Sequence, residues 1–307
     1  MNFIFHIGTH KTGSTAIQNF LLANRNRLLN SGILYPSVGL KDTAHHNLAW
    51  TLKAGDINKT KDLCLKIEQE ATYYGVDTVV LSSEEFEFVR NINTLKNFFS
   101  EISNAQIILY IRRPDLYLES EYKQHVKMYK IRYKYDIYKF YYGIDFQTRF
   151  NYRLISSLWN QFTDVKVINY DHCLCEQYGL FKYLLANIGI SWDDDFLMPD
   201  NKGSNISPSN LGSIYLARLN RLNLSSSSHK VAHRIITEQF ESAPDRPLLS
   251  HEDKLILWRR FKGPNDWVAK QYGIEPFQKP SLDKEPIDFH SDFDEKLFSA
   301  ILNRIMA

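Results

Sequence analysis

Short apolar runs alternate along the first part of the chain with segments whose apolar residues recur at helical spacing. Four runs stand out: FIFHI at 3–7, TVVLS at 78–82, QIILYI at 106–111 and VKVINY at 165–170. Near-continuous hydrophobicity over so few residues is the pattern of a strand buried on both faces. Between them, Ile17, Phe20, Leu21, Leu28 and Leu29 follow helical spacing, as do Leu63, Ile67, Ala71 and Tyr74 within residues 60–74. Further helices are predicted at 91–102, at 178–188 and from Pro114, a residue suited to a first helical turn. Residues 33–35 form a short extended piece stopped by Pro36. Strands alternating with helices predict an α/β fold, a parallel β-sheet flanked by helices with right-handed crossovers. Past about residue 190 the strand signal fades into a polar loop, DNKGSNISPSN, and helical patterns at 211–222, 230–241, 251–261 and 294–305. The expected organisation is one domain, with a core over about 1–190 and a helical C-terminal extension over about 191–307. No internal repeat is visible.

Composition narrows the classes. The net charge of +2 across 307 residues gives no bulk field for nucleic acid or an anionic membrane, so any anion site must be local. Three cysteines, Cys64, Cys173 and Cys175, make no disulfide framework, and the last two lack C-x-x-C spacing. Ordinary reduced thiols are expected. The apolar run at 3–7 is too short for a signal h-region, and no window approaches the length of a membrane span. These features predict a soluble, cytoplasmic protein without membrane insertion.

The chemistry starts in the turn after the first strand, HIGTHKTGSTAIQ. Gly8 and Gly13 have the glycine spacing of the Walker A loop, G-x-x-x-x-G-K-[ST], and Thr15 sits at its hydroxyl position. Ser14, however, holds the lysine position, and Lys11 precedes Gly13 by two residues. A strand–loop–helix context still suits an anion. Amides at a helix N-terminus carry the positive dipole end, glycine permits close backbone approach, and Lys11, Thr12, Ser14 and Thr15 add donors. A magnesium triphosphate site also wants an Asp at a strand end. Here the strand ends read LSSEEF and YIRRPD. A metal-free site for a nucleotide with two separate phosphate groups fits these residues better.

Lys11-Thr12-Gly13-Ser14-Thr15 resembles the K-[TS]-G-[ST]-[ST] loop of the sulfotransferases that use 3′-phosphoadenosine 5′-phosphosulfate (PAPS). A second motif of that family, R-x-P with a serine eight residues after the arginine, is matched by Arg112-Arg113-Pro114 and Ser120. The resemblance covers residues 1 to about 190. It implies a P-loop NTPase-like sulfotransferase core, PAPS as co-substrate and no metal. It assigns the 5′-phosphosulfate to Lys11, Thr12, Gly13, Ser14 and Thr15, and the 3′-phosphate to Arg112 and Ser120. Lys11 would stabilise the departing bisphosphate.

The acceptor hydroxyl needs a general base. Glu84 follows the second run at the sheet edge where α/β folds bind ligands, and carbohydrate-type members of the family often use a glutamate. The sequence Ser82-Ser83-Glu84-Glu85 equally suits a helix cap. His45 and His46 are alternatives, as base and acceptor ligand or as a surface pair, while His10 is expected to shape the loop. The NKGSN stretch, with Lys202 and Gly203, and HKVAHR at 229–234 are candidates to close over the 3′-phosphate, each matched by a plain polar reading. The stretch YKYDIYKFYYG at 133–143 suits sugar stacking or an amphipathic helix. The expected acceptor hydroxyl is on a carbohydrate or glycolipid, and the expected partner is a carbohydrate or small-molecule acceptor, without nucleic acid. Two rivals remain: a magnesium-dependent nucleotide kinase or NTPase with a degenerate loop, and an inactive nucleotide- or glycan-binding protein of the same fold.

Overall fold

The computed structural model describes residues 1–199, 207–244, 246–282 and 284–306. Lys202 and Gly203 lie outside the described residues. The strands are β1 (Asn2–Gly8), β2 (Ile33–Leu34), β3 (Thr78–Ser82), β4 (Asn104–Ile111) and β5 (Asp164–Asn169). They form one sheet in the order β2-β3-β1-β4-β5, and each pairing is parallel. The expected α/β architecture with a helix-flanked parallel sheet is therefore present. The extended piece at 33–35 supplies the edge strand, with Ile33 opposite Thr78 and Leu34 opposite Val79.

Strand alternation explains why the four runs had to be apolar throughout. Phe3, Phe5, Ile7, Leu81, Leu109 and Val167 face one way and pack in one core with Leu48, Ile67, Leu95 and Trp159. Ile4, Val80, Ile108, Tyr110 and Ile168 face the other way and pack with Ile17, Phe20, Leu184 and Leu185. Each strand feeds both cores, so a polar residue in it stands out. His6, in the middle of β1, is such a residue and is fully buried.

The chain divides into two units. The first comprises residues 1–112, 151–201 and 263–277, and holds the sheet. The second comprises residues 113–150, 202–262 and 278–307. Its helices include Pro114–Lys127, Ile137–Gly143, Asn210–Leu219, Ser226–Gln239 and Glu295–Met306, around a core containing Tyr117, Tyr122, Phe140, Phe150, Tyr215 and Ile236. The helix Pro114–Lys127 is pinned on two sides. The Glu119 carboxylate accepts the Leu248 and Leu249 amides at 3.0 Å each, and Glu121 pairs with buried Arg149 at 3.2 Å.

One helix runs further than its sequence pattern suggests. The segment expected to end at 261 continues as His251–Tyr272, through Pro264. An internal proline removes one helical hydrogen bond, and burial of Val268 in the first unit's core opposes that loss. Among the described residues no helix is long and apolar enough to cross a membrane.

Candidate functional site

Because the sheet is parallel, the C-terminal ends of β1, β3, β4 and β5 share one edge. Open α/β sheets bind ligands at this edge. Each of these ends presents polar groups in the first unit.

At the end of β1, residues 9–13 turn into helix α1 (Ser14–Ala23). The turn requires two left-handed residues, Lys11 at φ 68° and Gly13 at φ 76°. The loop is internally fastened. Thr9 directs both its amide and its hydroxyl to the Tyr110 carbonyl, at 3.1 and 3.0 Å, and the Thr12 hydroxyl donates to the Thr9 carbonyl at 2.6 Å. Thr12 is fully buried and its hydroxyl holds the loop's shape, whereas Thr15 is exposed. Ser14 differs from both. Only 6% exposed, its hydroxyl has no hydrogen-bond partner among the described residues. A buried polar atom without a partner is costly, and a ligand is one way to satisfy it.

Gly8 makes room for that hydroxyl: a Cβ at Gly8 would stand 2.1 Å from Ser14 Oγ. Gly8→Ala is therefore expected to destabilise the protein by about 1–3 kcal/mol, in the range of core overpacking. Gly8→Ala with Ser14→Ala should recover most of the loss in urea unfolding. A single variant as stable as the wild type would show that Ser14 Oγ does not use this space.

The loop is held on either side of Lys11. The buried Glu87 carboxylate accepts the His10 amide and stands 2.9 Å from His10 Nδ1, while Arg112 Nη1 donates to the Lys11 carbonyl at 2.9 Å. Glu87 thus fastens His10, and with it this part of the loop, to the turn after β3. Arg112, at the end of β4, also lies 3.5 Å from Asp171 and over the Tyr170 ring at 5.2 Å. Neighbouring Arg113 points its fork elsewhere, onto the Asp115 carboxylate at 2.7 and 2.9 Å. Ser120 is half-buried in the helix Pro114–Lys127 of the second unit.

At the end of β3, the two readings of SSEEF divide between adjacent residues. Ser83 caps the 3-10 turn Glu84–Phe88 by accepting the Glu85 amide at 3.2 Å. Glu84 instead accepts from Gln18 of α1 at 2.8 Å. Burial opposes its ionisation, but the Gln18 hydrogen bond, its own amide and nearby His10 and His46 prevail. They hold the carboxyl below the usual glutamate range.

The two adjacent histidines also part. His45 is fully buried, with Nε2 at 3.0 Å from the Pro36 carbonyl and Nδ1 accepting the Ser82 amide at 3.2 Å. Burial pushes its pKa down to about 3, against the pull of those backbone contacts. Both ring nitrogens are occupied, so His45 fastens residues 36–45 to β3 and is no surface partner of His46. His46 is half-buried, 2.8 Å from Ser83 Oγ and stacked on Trp50. His6 lies beside this group, 2.7 Å from Ser82 Oγ, its pKa pushed down to about 4 by burial although Glu84 opposes the shift.

Sequence patterns did not single out Gln18, Glu87, Tyr170 or Asp171. Three of them carry a usable signal. Gln18 interrupts the apolar face of α1, Tyr170 ends the last apolar run, and Asp171 follows that run just as Arg112 follows the third. The stretch HKVAHR is part of the helix Ser226–Gln239, not a loop, and buries His229 and Ala232. All three cysteines are free thiols, and burial pushes Cys64 and Cys173 up to about 12.

No family profile matches the chain. An uncharacterized protein from Archaeoglobus fulgidus is 28% identical over 237 residues, 71% of this chain, and the chain spans 59% of that relative's length. Among solved structures, a sulfotransferase from Alicyclobacillus acidocaldarius aligns at TM-score 0.44 and 16% identity, over 74% of this chain and 98% of its own. The sulfotransferase domain of the Synechococcus PCC 7002 olefin synthase aligns at 0.38 and 14% identity, over 78% of this chain and 94% of its own. The sulfotransferase domain from the curacin biosynthetic pathway aligns at 0.39 and 13%, over 89% and 98%. Likeness at this level assigns no activity.

Proposed function

We propose that the chain is a sulfotransferase, taking a sulfuryl group from PAPS to the hydroxyl of a carbohydrate or small-molecule acceptor. The observation that carries this reading is the buried, unpartnered Ser14 hydroxyl at the start of α1, in a loop whose lysine is tethered by Arg112. In a Walker A loop the lysine would stand where Ser14 stands. Here that position offers a neutral donor, and the charge comes from Lys11, earlier in the loop.

These residues fit a phosphate-bearing donor. The amides at the start of α1, Ser14 and Thr15 would hold the 5′-phosphosulfate. Thr12 and Gly13 would keep the loop in shape around it. Arg112 is the residue of this unit assigned to the 3′-phosphate; Ser120, which the motif also assigns to it, belongs to the second unit. Bound there, the donor would supply the activated sulfuryl group. Lys11 would neutralise charge growing on the leaving bisphosphate. Glu84, ionised at neutral pH, would take the acceptor's proton, with Gln18 fixing its orientation. His46 would contact the acceptor, and His45 would position His46 and Ser82.

Calorimetry without metal tests the donor. Binding of 3′,5′-adenosine bisphosphate should exceed that of ADP. An equal response would overturn the PAPS assignment; in a second titration with magnesium added, tight binding only of ATP or GTP would favour a nucleotide kinase.

The base assignment has its own test. With Glu84 as base, kcat/KM should hold level through mildly acidic pH and fall only below the usual glutamate range. The same depressed pKa means that Glu84 stabilises the fold above the unfolded glutamate value, and that this contribution is lost as pH falls through the folded one. Glu84→Gln should abolish the acid limb together with most of the turnover. An acid limb near neutrality that survives in Glu84→Gln and disappears in His46→Gln would move the base to His46.

A further inference from the structure

A basic, aromatic segment of the second unit has no part in the proposed transfer. Between residues 123 and 139 stand Lys123, Lys127, Lys130, Arg132, Lys134 and Lys139, against Asp136 as the sole acid. The whole chain carries only +2, so this is a local concentration of charge. Asp136 is itself engaged, accepting the Lys139 amide at 2.8 Å to cap the helix Ile137–Gly143.

The same stretch exposes its rings to different extents. Tyr142 is 82% exposed, whereas Tyr129, Tyr135 and Tyr138 are more than half covered, and the Tyr138 hydroxyl donates to Asp253 at 3.0 Å. The amphipathic-helix reading holds for Ile137–Gly143. Ile137 and Phe140 are buried, Tyr133 and Tyr141 pack partly against the core, and Tyr138 and Tyr142 are exposed on the other face. Cations gather on the rings: Arg132 lies 4.8 Å from the Tyr129 ring centre, and Lys139 and Lys134 lie 3.7 and 5.8 Å from that of Tyr135.

The backbone presenting them is fixed. The Tyr122 hydroxyl donates to the Tyr135 carbonyl at 3.0 Å, Asn220 to the Tyr133 carbonyl at 2.9 Å, and Arg132 to the Leu224 carbonyl at 3.1 Å. Exposed rings on a pinned backbone lose little conformational freedom when something stacks on them.

We propose that this face binds an acidic oligosaccharide, a sugar chain bearing carboxylates or sulfates. The Tyr142 ring, 82% exposed, offers an apolar face for sugar C–H surfaces and a hydroxyl for the sugar's own, and the lysines over Tyr135 offer charge to its acids. All of these cations except Arg132 are lysines, whose hydrated, mobile charges suit acids at variable spacing. A nucleic-acid surface would favour the arginine fork, which matches phosphate and stacks on bases. The proposal names an acidic class for the carbohydrate acceptor. It rests on the sulfotransferase reading for that role alone, since the surface itself is independent of the donor loop.

The test uses the full chain without nucleotide and a fluorescently labelled oligogalacturonate, read by anisotropy. A neutral oligosaccharide of the same length, single-stranded DNA of equal charge and phosphatidylglycerol vesicles serve as competitors. The wild type should bind oligogalacturonate in preference to all three, with an affinity that falls as salt rises. The triple variant Lys130→Glu, Lys134→Glu, Lys139→Glu should bind at least about 10-fold more weakly. Tyr135→Ala with Tyr142→Ala should lose about 10-fold while keeping the salt dependence. Thermal unfolding and affinity for 3′,5′-adenosine bisphosphate should be unchanged in both. Absence of binding, tighter binding of DNA or vesicles, or variants that bind as well as the wild type would overturn the proposal. Bisphosphate binding without oligogalacturonate binding would sink this surface and leave the sulfotransferase reading intact; the reverse would sink that reading and leave the surface.

Discussion

Lys11→Ala is expected to lower turnover by about 10²–10³-fold, as loss of one preorganised charge-stabilising donor does. Affinity for 3′,5′-adenosine bisphosphate should change far less. The difference follows from what each group does. Backbone amides and hydroxyls at the start of α1 would hold the bound phosphate in ground and transition states alike, whereas Lys11 would meet charge that grows as the sulfuryl group leaves. Only the second kind of contact raises kcat. Lys11 already has a Cβ at φ 68°, so alanine adds no new backbone strain. The tethers at His10 and at the Lys11 carbonyl involve backbone and other side chains, so the loop should keep its shape. Steady-state kinetics and calorimetry on the same variant give the two numbers. Near wild-type turnover would remove Lys11 from the chemistry, and an equal loss of affinity and turnover would make it a binding group only.

Arg112→Ala should cost more in binding and should also cost rate. Removing one partner of a partly buried charged contact costs about 2–5 kcal/mol. That corresponds to at least about 30-fold weaker binding of 3′,5′-adenosine bisphosphate. Preference over ADP should disappear, because ADP lacks the 3′-phosphate assigned to Arg112. Turnover should fall as well, since Arg112 also holds the Lys11 carbonyl at 2.9 Å and so would aim the lysine proposed to stabilise the leaving group. Arg112→Lys should restore little, because one ammonium cannot reach the loop carbonyl and a phosphate as a planar fork can. Retention of the bisphosphate preference in Arg112→Ala would place the 3′-phosphate elsewhere. A fall in turnover with unchanged binding would leave Arg112 as a positioning residue for Lys11.

The segments that tertiary packing merely confirmed were those where one local pattern had one physical outcome. Runs such as FIFHI and QIILYI can be buried only between two layers, and they became β1 and β4 with alternate residues in opposite cores. The glycine turn had to precede a helix, and it does. Adjacent polar residues were harder. His45 and His46 are indistinguishable along the chain. In the fold, one spends both nitrogens on backbone groups and the other faces Ser83 and Trp50. Ser83 and Glu84 divide in the same way, one as cap and the other as the acceptor of a hydrogen bond from α1.

By itself, then, the sequence determined the strand runs, the glycine loop with Lys11 and Ser14, and the arginine at the end of β4, because each follows from periodicity or spacing within a few residues. The tertiary structure decided which strands are neighbours and hence which strand ends meet. It brought Glu87 to His10 across 77 positions and Arg112 to Lys11 across 101. It also placed residues 113–150, and Ser120 with them, in the unit that contains the C-terminal helices. Contacts of that range depend on how separated segments pack against a shared core, and no local pattern encodes them.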